Sequence, residues 1–307
     1  MTIVSVKNIT KTYQQVKALD NVSFEVEKGE IFGIIGPDGS GKTSLFRILT
    51  TLLLADSGTA VVDGHDVVSQ YKAIRKKVGY MPGRFSLYTD LTVQENLKVF
   101  ATLFGTTIEK NYHLVKAIYS QIEPFRNRRA GALSGGMKQK LALSCALIHE
   151  PVILFLDEPT TGVDPVSRSE LWEVLKGLKD QGVTIIVSTP YMDEAGMCDR
   201  IALMQHGTLI GIDEPQSIIK AYDQILWSVS SNDMYRLLKD LRENKKVLTC
   251  YAFGDVHHIT VDQKKSRSTV PFSESALRDY LERRDHTGVQ IHAITPGIED
   301  CFMQMTG

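Results

Sequence analysis

The sequence predicts an α/β fold in which parallel strands are covered by helices, followed by a smaller α+β unit. Three observations carry that expectation. A strand-type run from Glu30 to Ile35 ends in a glycine-rich turn, after which Leu45, Phe46, Ile48, Leu49 and Leu52 recur at helical spacing. Further strand-type runs at Val152 to Leu156, Val183 to Ser188 and Ile201 to Met204 alternate with the helical pattern Leu171, Trp172, Val174, Leu175 and Leu178. Beyond about Lys220 the order changes to βαββαβ, the split βαβ unit.

Along the chain, Ile3 to Val6 and Val22 to Val26 alternate apolar with polar residues and read as half-buried strands. A helix-rich block occupies about residues 84–150, with apolar faces such as Leu97, Phe100, Ala101 and Phe104, and looks inserted into the α/β pattern. One domain over residues 1–220 and a small accessory domain over 221–307 follow from the change of pattern. In the second, Gln224 to Val229 is a strand and Met234, Leu237, Leu238 and Leu241 mark a helix. Val247 to Phe253 and Val256 to Val261 are strands joined at Gly254 and Asp255, and the polar loop Asp262 to Ser268 comes next. Ala276, Leu277, Tyr280 and Leu281 mark a second helix, Val289 to Ile294 a last strand, and Thr295 and Pro296 suit the cap and first position of a terminal helix.

The chain has 307 residues, more than one small module needs, and 43% hydrophobic with 23% charged residues is an ordinary globular mixture. Lys and Arg number 35 against 36 Asp and Glu, so no global field draws the chain to nucleic acid or an anionic bilayer. Lys264, Lys265 and Arg267 lack the interleaved aromatics that stack bases, and no nucleic-acid partner is expected. Four scattered cysteines make neither a disulfide framework nor a CxxC site, which suits a reducing compartment. The N-terminus has no leader pattern and no apolar stretch approaches the roughly 20 residues of a membrane span. Work at a membrane would therefore need another subunit to supply the span.

Gly36, Pro37, Asp38, Gly39, Ser40, Gly41, Lys42 and Thr43 match GxxxxGK[ST], after a buried strand and at a helix start. Glycines allow backbone N–H groups to turn onto phosphate oxygens, with the helix N-terminus adding positive charge. Lys42 would reach the β- and γ-phosphates, and the Thr43 hydroxyl would ligate Mg²⁺. Ser44 continues the same helix start. The strand from Val152 to Leu156 delivers Asp157, suited to hold Mg²⁺, and Glu158, suited to polarise the attacking water. Ser134, Gly135, Gly136 and Met137 open another helix and form a second anion-binding end. One γ-phosphate cannot readily meet both loops within one monomer, so a facing subunit is expected.

Together the phosphate loop, the LSGGMKQ segment at 133–139 and the FLDEPTTGVDP run at 155–165 resemble the nucleotide-binding domain of ABC transporters over roughly the first 220 residues. The resemblance implies a P-loop NTPase with a RecA-like core, an antiparallel β subdomain and an inserted α-helical subdomain, and a ferredoxin-like C-terminal domain fits the βαββαβ order. It implies ATP as substrate with Mg²⁺, and two domains closing head to tail around two ATP molecules. In that arrangement Ser134 to Met137 cap the partner's γ-phosphate and Asp164 couples the two sites. Tyr13 matches the aromatic that stacks on adenine, or is an ordinary half-buried surface tyrosine. The helical block would engage a permease, and Met81, Phe85, Leu87 and Tyr88 either dock it or simply pack. The chain would then sit at the cytoplasmic face of a membrane.

Two positions depart from the family pattern. Gly83 stands where the family has a glutamine near metal and water, and Pro190 stands where it has the switch histidine that bonds the γ-phosphate. None of the eight histidines is an obvious substitute. ATP is therefore expected to bind while hydrolysis is slow, with a complete second nucleotide-binding domain as partner in a heterodimer. The first half of tandem multidrug-efflux ATPases, which pair with ABC-2 permeases, is similar, with the second half then a separate chain. The ending Gly297 to Phe302 also resembles that of drug-exporter ATPases. The other readings are a soluble ABC ATPase uncoupled from transport and a regulatory protein that only binds ATP.

Overall fold

The computed structural model describes residues 1–261 and 273–306. The polar loop expected at Asp262 to Ser268, with its basic residues, lies outside them. The chain divides into one unit from Met1 to Pro215 and another from Gln216 to Gly307.

The first unit begins with β1 (Thr2–Tyr13), β2 (Val16–Glu27), β3 (Ile31–Ile35), α1 (Lys42–Leu49), β4 (Ser57–Val62), β5 (His65–Asp66), α2 (Tyr71–Lys77) and β6 (Val78–Met81). The helices α3 (Val93–Leu103), α4 (Ile108–Tyr119) and α5 (Gly135–Leu147) then come consecutively. After them run β7 (Ile153–Asp157), α6 (Pro165–Asp180), β8 (Thr184–Thr189), β9 (Arg200–Gln205) and β10 (Thr208–Asp213), and α7 (Pro215–Lys220) opens the second unit. Six strands in the order β10-β9-β3-β8-β7-β6 make the main sheet, parallel except for β10. Every residue of β3, β7 and β8 is buried, as strands covered on both faces require. Phe46 of α1 meets Phe155 of β7 edge to face at 5.9 Å, tying the helix after the glycine turn to the sheet. A second sheet, β2-β1-β4-β5, is antiparallel.

β1 and β2 each run twelve residues, well beyond the short segments their alternation predicts. Register shifts along the pair interrupt the period-two pattern, so only its regular stretch is visible in sequence. In the helical block, α3 opens with a reciprocal capping box between Thr92 and Glu95. Met81 and Leu87 are buried while Tyr88 is exposed, so the suspected docking run is divided between packing and surface.

In the second unit follow β11 (Ile225–Ser230), α8 (Met234–Glu243), β12 (Val247–Phe253), β13 (Val256–Val261), α9 (Glu274–Glu282), β14 (Gln290–Ala293) and α10 (Ile298–Thr306). The antiparallel order β12-β13-β11-β14 is that of the split βαβ unit. One sheet face packs Trp227, Val229 and Ile259 against Leu237 and Leu241 of α8 and Leu277 of α9. The other face meets α10, through His258 Nδ1 and Asp300 Oδ1 at 2.7 Å. Its neighbour His257 turns the opposite way, to the Met234 carbonyl. The terminal helix begins at Ile298 rather than beside Thr295: the Gly297 N–H donates to Asp300 Oδ2 at 2.8 Å, so the reach-back of Asp300 fixes the start. All four cysteines are free and buried.

Candidate functional site

The turn at 36–41 carries the chain from β3, in the middle of the main sheet, into α1. Two of its glycines are imposed by crowding. A Cβ at Gly36 would lie 2.0 Å from the Met204 carbonyl oxygen, and one at Gly41, where φ is +109°, would lie 2.3 Å from that of Ala18. The backbone can thus wrap tightly and leave its N–H groups and the α1 N-terminus turned to a ligand. Lys42 is only 3% exposed, and its Nζ donates to the carbonyls of Gly36 at 2.8 Å and Pro37 at 3.0 Å. Glu158 Oε1 lies 3.4 Å from the same ammonium.

The β7–β8 register sets Asp157 opposite Ser188. Asp157 Oδ1 accepts from Ser188 Oγ at 2.6 Å and from Thr43 Oγ1 at 3.2 Å, so the end of β7 is bonded to the first turn of α1. Glu158 then takes a left-handed φ of 52°, and its N–H donates to both the carbonyl and hydroxyl oxygens of Ser188 at 3.0 Å. That kink sends two successive carboxylates in different directions, Asp157 toward Thr43 and Glu158 toward Lys42. Tyr80, on neighbouring β6, has its phenol pushed up to about 12 by burial and then by the Asp157 charge, so it stays a neutral hydroxyl.

Tyr13, Gly39, Lys42, Thr43, Ser44 and Glu158 line one cavity of about 270 Å³. Tyr13 stands at its edge, 42% exposed, with its hydroxyl 3.4 Å from Ser44 Oγ. Asp38 is exposed on the loop, whereas Ser40 is buried with its Oγ lacking a partner. The geometry thus brings the phosphate-loop residues, Tyr13, Asp157 and Glu158 together.

Ser134 to Met137 do not line that cavity. Ser134 caps α5, its Oγ accepting from the Met137 N–H at 3.4 Å. Cβ atoms at Gly135 and Gly136 would come 3.3 Å from the Gly162 carbonyl oxygen and 2.8 Å from Ser167 Oγ, so this segment stands against the 162–167 turn. Asp164 in that turn is committed to its own helix, accepting from the N–H groups of Val166 and Ser167. The Ser167 N–H above all holds its carboxyl below the usual carboxylate range.

At Gly83 a Cβ would sit 3.0 Å from the Asp157 carbonyl oxygen and 3.8 Å from Glu158 Cβ. The chain passes close to the carboxylate pair there without a side chain. Pro190 ends β8 with neither a backbone N–H nor a side-chain donor. The following Tyr191 ring lies under the Arg168 guanidinium at 4.2 Å. Arg168 also pairs with Asp193 at 3.2 Å and with buried Glu194 at 3.4 Å, and Thr160 Oγ1 donates to Glu194 at 3.1 Å. Sequence reasoning missed this network, together with Ser188 and Tyr80. Only the position of Ser188 at the end of a predicted strand offered a signal.

Residues 19–161 match the ABC transporter family. The chain is 40% identical over 284 residues, 92% of its length, to the Escherichia coli (strain K12) protein named probable multidrug ABC transporter ATP-binding protein YbhF, and spans 48% of that relative. It is 31% identical to Nod factor export ATP-binding protein I of Rhizobium sp. (strain N33), over 99% of this chain and 97% of that one. Among solved structures, the dimeric ATP-binding cassette MJ0796 in a post-hydrolysis state, bound to ADP and Pi, aligns with a TM-score of 0.63 and 28% identity over 69% of this chain and 98% of that one. The cassette cbiO1 of Clostridium perfringens aligns with a TM-score of 0.64 and 25% identity over 72% and 91%. A phosphate loop closed by crowded glycines, two divergent carboxylates at the end of β7, and likeness along nearly its whole length place this chain in the ABC transporter family, as an ATP-binding protein.

Proposed function

We propose that the protein is the nucleotide-binding subunit of an exporter, driving a membrane permease of the ABC-2 type from the cytoplasmic face, and that its own site hydrolyses ATP slowly beside a complete second nucleotide-binding domain. The names of its relatives, a probable multidrug ABC transporter ATP-binding protein and a Nod factor export ATP-binding protein, support the exporter reading. Among the described residues no helix is long and apolar enough to cross a membrane, and the permease would supply the span. One observation carries the binding half of the reading: Lys42, Thr43 and Asp157 converge at the phosphate loop.

In that reading the loop N–H groups bind the phosphates, and Lys42 exchanges its Gly36 and Pro37 carbonyl contacts for phosphate oxygens. Thr43 Oγ1 and Asp157 Oδ1, 3.2 Å apart, offer the few hard oxygen donors that suit Mg²⁺, which keeps water and takes phosphate oxygens for its remaining ligands. Bound Mg²⁺ would neutralise charge on the β- and γ-phosphates. Glu158 would hold the attacking water and accept its proton. Ser134 to Met137 would meet the nucleotide of a facing subunit, since they lie outside this chain's own cavity.

Pro190 supports the slow-turnover half. A missing donor to the γ-phosphate typically costs on the order of a hundredfold in rate. ATP binding to the purified chain and its steady-state turnover test both halves. Tight binding with weak turnover is expected, and vigorous turnover abolished by Glu158→Gln would refute the weakened site.

A further inference from the structure

We propose that Glu194, acting with Thr160 and Arg168, is a positioning residue for ATP hydrolysis: it anchors the turn after Glu158 and so holds that carboxylate where it meets the attacking water. That role rests on the proposed reading of Glu158 as the group that accepts the water's proton. Glu158 needs an anchor because of its backbone. Its φ of 52° is left-handed, although it carries a full side chain and precedes Pro159, which favours extended backbone in the residue before it. Such a conformation persists only where its surroundings over-determine it.

Two anchors flank the kink. Before it, the Glu158 N–H is held by the carbonyl and hydroxyl oxygens of Ser188. After it, Thr160, which is buried, donates from Oγ1 to Glu194 Oε2 at 3.1 Å. Glu194 is only 2% exposed, and its other oxygen, Oε1, lies 3.4 Å from Arg168 Nε, so both carboxylate oxygens face groups of this chain. A hydrogen bond to a charged acceptor in such a place is among the strong ones. The N–H groups of Thr161 and Val163 donate to the carbonyls of Glu158 and Thr160, each at 3.2 Å, so a shift of Thr160 passes back to Glu158. Glu194 itself stands on the short 3₁₀ segment Met192–Met197, which is tied to the phosphate loop. The Tyr191 N–H donates to Thr189 Oγ1 at 3.0 Å, and the Thr189 carbonyl accepts from the Gly36 N–H at 3.3 Å. Arg168, from the start of α6, clamps the same segment through the Tyr191 ring and Asp193. None of Thr160, Arg168 and Glu194 lines the phosphate-loop cavity. They nonetheless bear on the rate, because misplacing a reacting group by about an ångström costs on the order of a hundredfold.

The whole chain and its variants are assayed with ATP and Mg²⁺ in single turnover, protein in excess, and ATP affinity is measured in parallel by calorimetry. Thr160→Val keeps the shape but loses the hydroxyl, and should lower the hydrolysis rate about tenfold or more with ATP affinity unchanged. Thr160→Ser should recover most of the rate. Glu194→Gln leaves Thr160 an acceptor but gives up the charge facing Arg168; it should lower the rate by a smaller factor, again at unchanged affinity, and it serves as the test should Thr160→Val not fold. Glu158→Gln, measured alongside, separates two failures. Parental rates in Thr160→Val and Glu194→Gln, with hydrolysis lost in Glu158→Gln, overturn the positioning role and leave Glu158 as the base. A parental rate in Glu158→Gln overturns both. ATP affinity falling in step with the rate, or no recovery in Thr160→Ser, marks the network as support for the fold alone and overturns the proposal.

Discussion

Lys42 has three partners of its own, the carbonyls of Gly36 and Pro37 and the carboxylate of Glu158, so a nucleotide must compete for it rather than find it waiting. Lys42→Met keeps much of the stem but removes the charge-assisted bonds to phosphate, worth about 1.5–3 kcal/mol each. ATP affinity measured by calorimetry should fall at least about tenfold, while the unliganded fold persists. Ser188→Ala tests a different residue. It removes the 2.6 Å bond to a carboxylate that is 1% exposed and the hydroxyl that receives the Glu158 N–H, so chemical unfolding should show a loss of about 1–3 kcal/mol. The first of these residues was legible in the sequence and the second was not, for a physical reason. A glycine loop with a following lysine fixes its own geometry locally, whereas Ser188 matters only because the parallel register of β7 and β8 sets it opposite Asp157. Arg168 and Glu194 escaped notice likewise, since their pairing depends on how the chain turns after Pro190.

His149 shows how one side chain joins elements and makes that junction sensitive to acid. Its ring stacks on Phe104 at the end of α3 with 3.8 Å between centroids, and its Nε2 lies 3.0 Å from the Val78 carbonyl at the start of β6. Nδ1 is buried without a partner, so a proton there would have no acceptor, and burial holds the pKa below the ordinary 6.5. Below 6.5 the unfolded chain therefore binds more protons than the folded one. Stability should decline as the pH drops from 6.5 toward the lower folded value, and His149→Gln should flatten that part of the profile in thermal unfolding. At the start of α5, Ser134→Ala removes the cap and should cost about 1 kcal/mol, a fall of about 2–4 °C in melting temperature for a unit of this size. Most helices were readable from apolar spacing and caps. The strands β4, β5 and β10 were not, because β4, though paired on both sides, keeps only Ala60 and Val62 buried, β5 has two residues, and β10 has no fully buried residue. Sequence patterns register a buried face, and these strands scarcely have one.

On the proposed function, the decisive contrast at the scale of the molecule would lie between the side that grips nucleotide and the side offered to a neighbour. In the proposed arrangement the grip would be Lys42, Thr43, Asp157 and Glu158, the offered side would be Ser134 to Met137 on a capped helix, and Pro190 would leave the γ-phosphate position one donor short. A pair of such chains would therefore close on ATP and turn over slowly, whereas pairing with a domain that carries the missing groups would leave one composite pocket fast. Pro190→His tests whether the donor limits the rate. With Gly83 unchanged, turnover of the purified chain should rise by about tenfold or more. Gly83→Gln alone should do less, because its Cβ would lie 3.0 Å from the Asp157 carbonyl oxygen and the backbone there must give by a few tenths of an ångström to admit it. The two halves of the account separate cleanly in that experiment. Unchanged ATP affinity with faster hydrolysis in Pro190→His supports a site impaired in chemistry, while rapid hydrolysis by the unmodified chain removes the reason for an unequal partner.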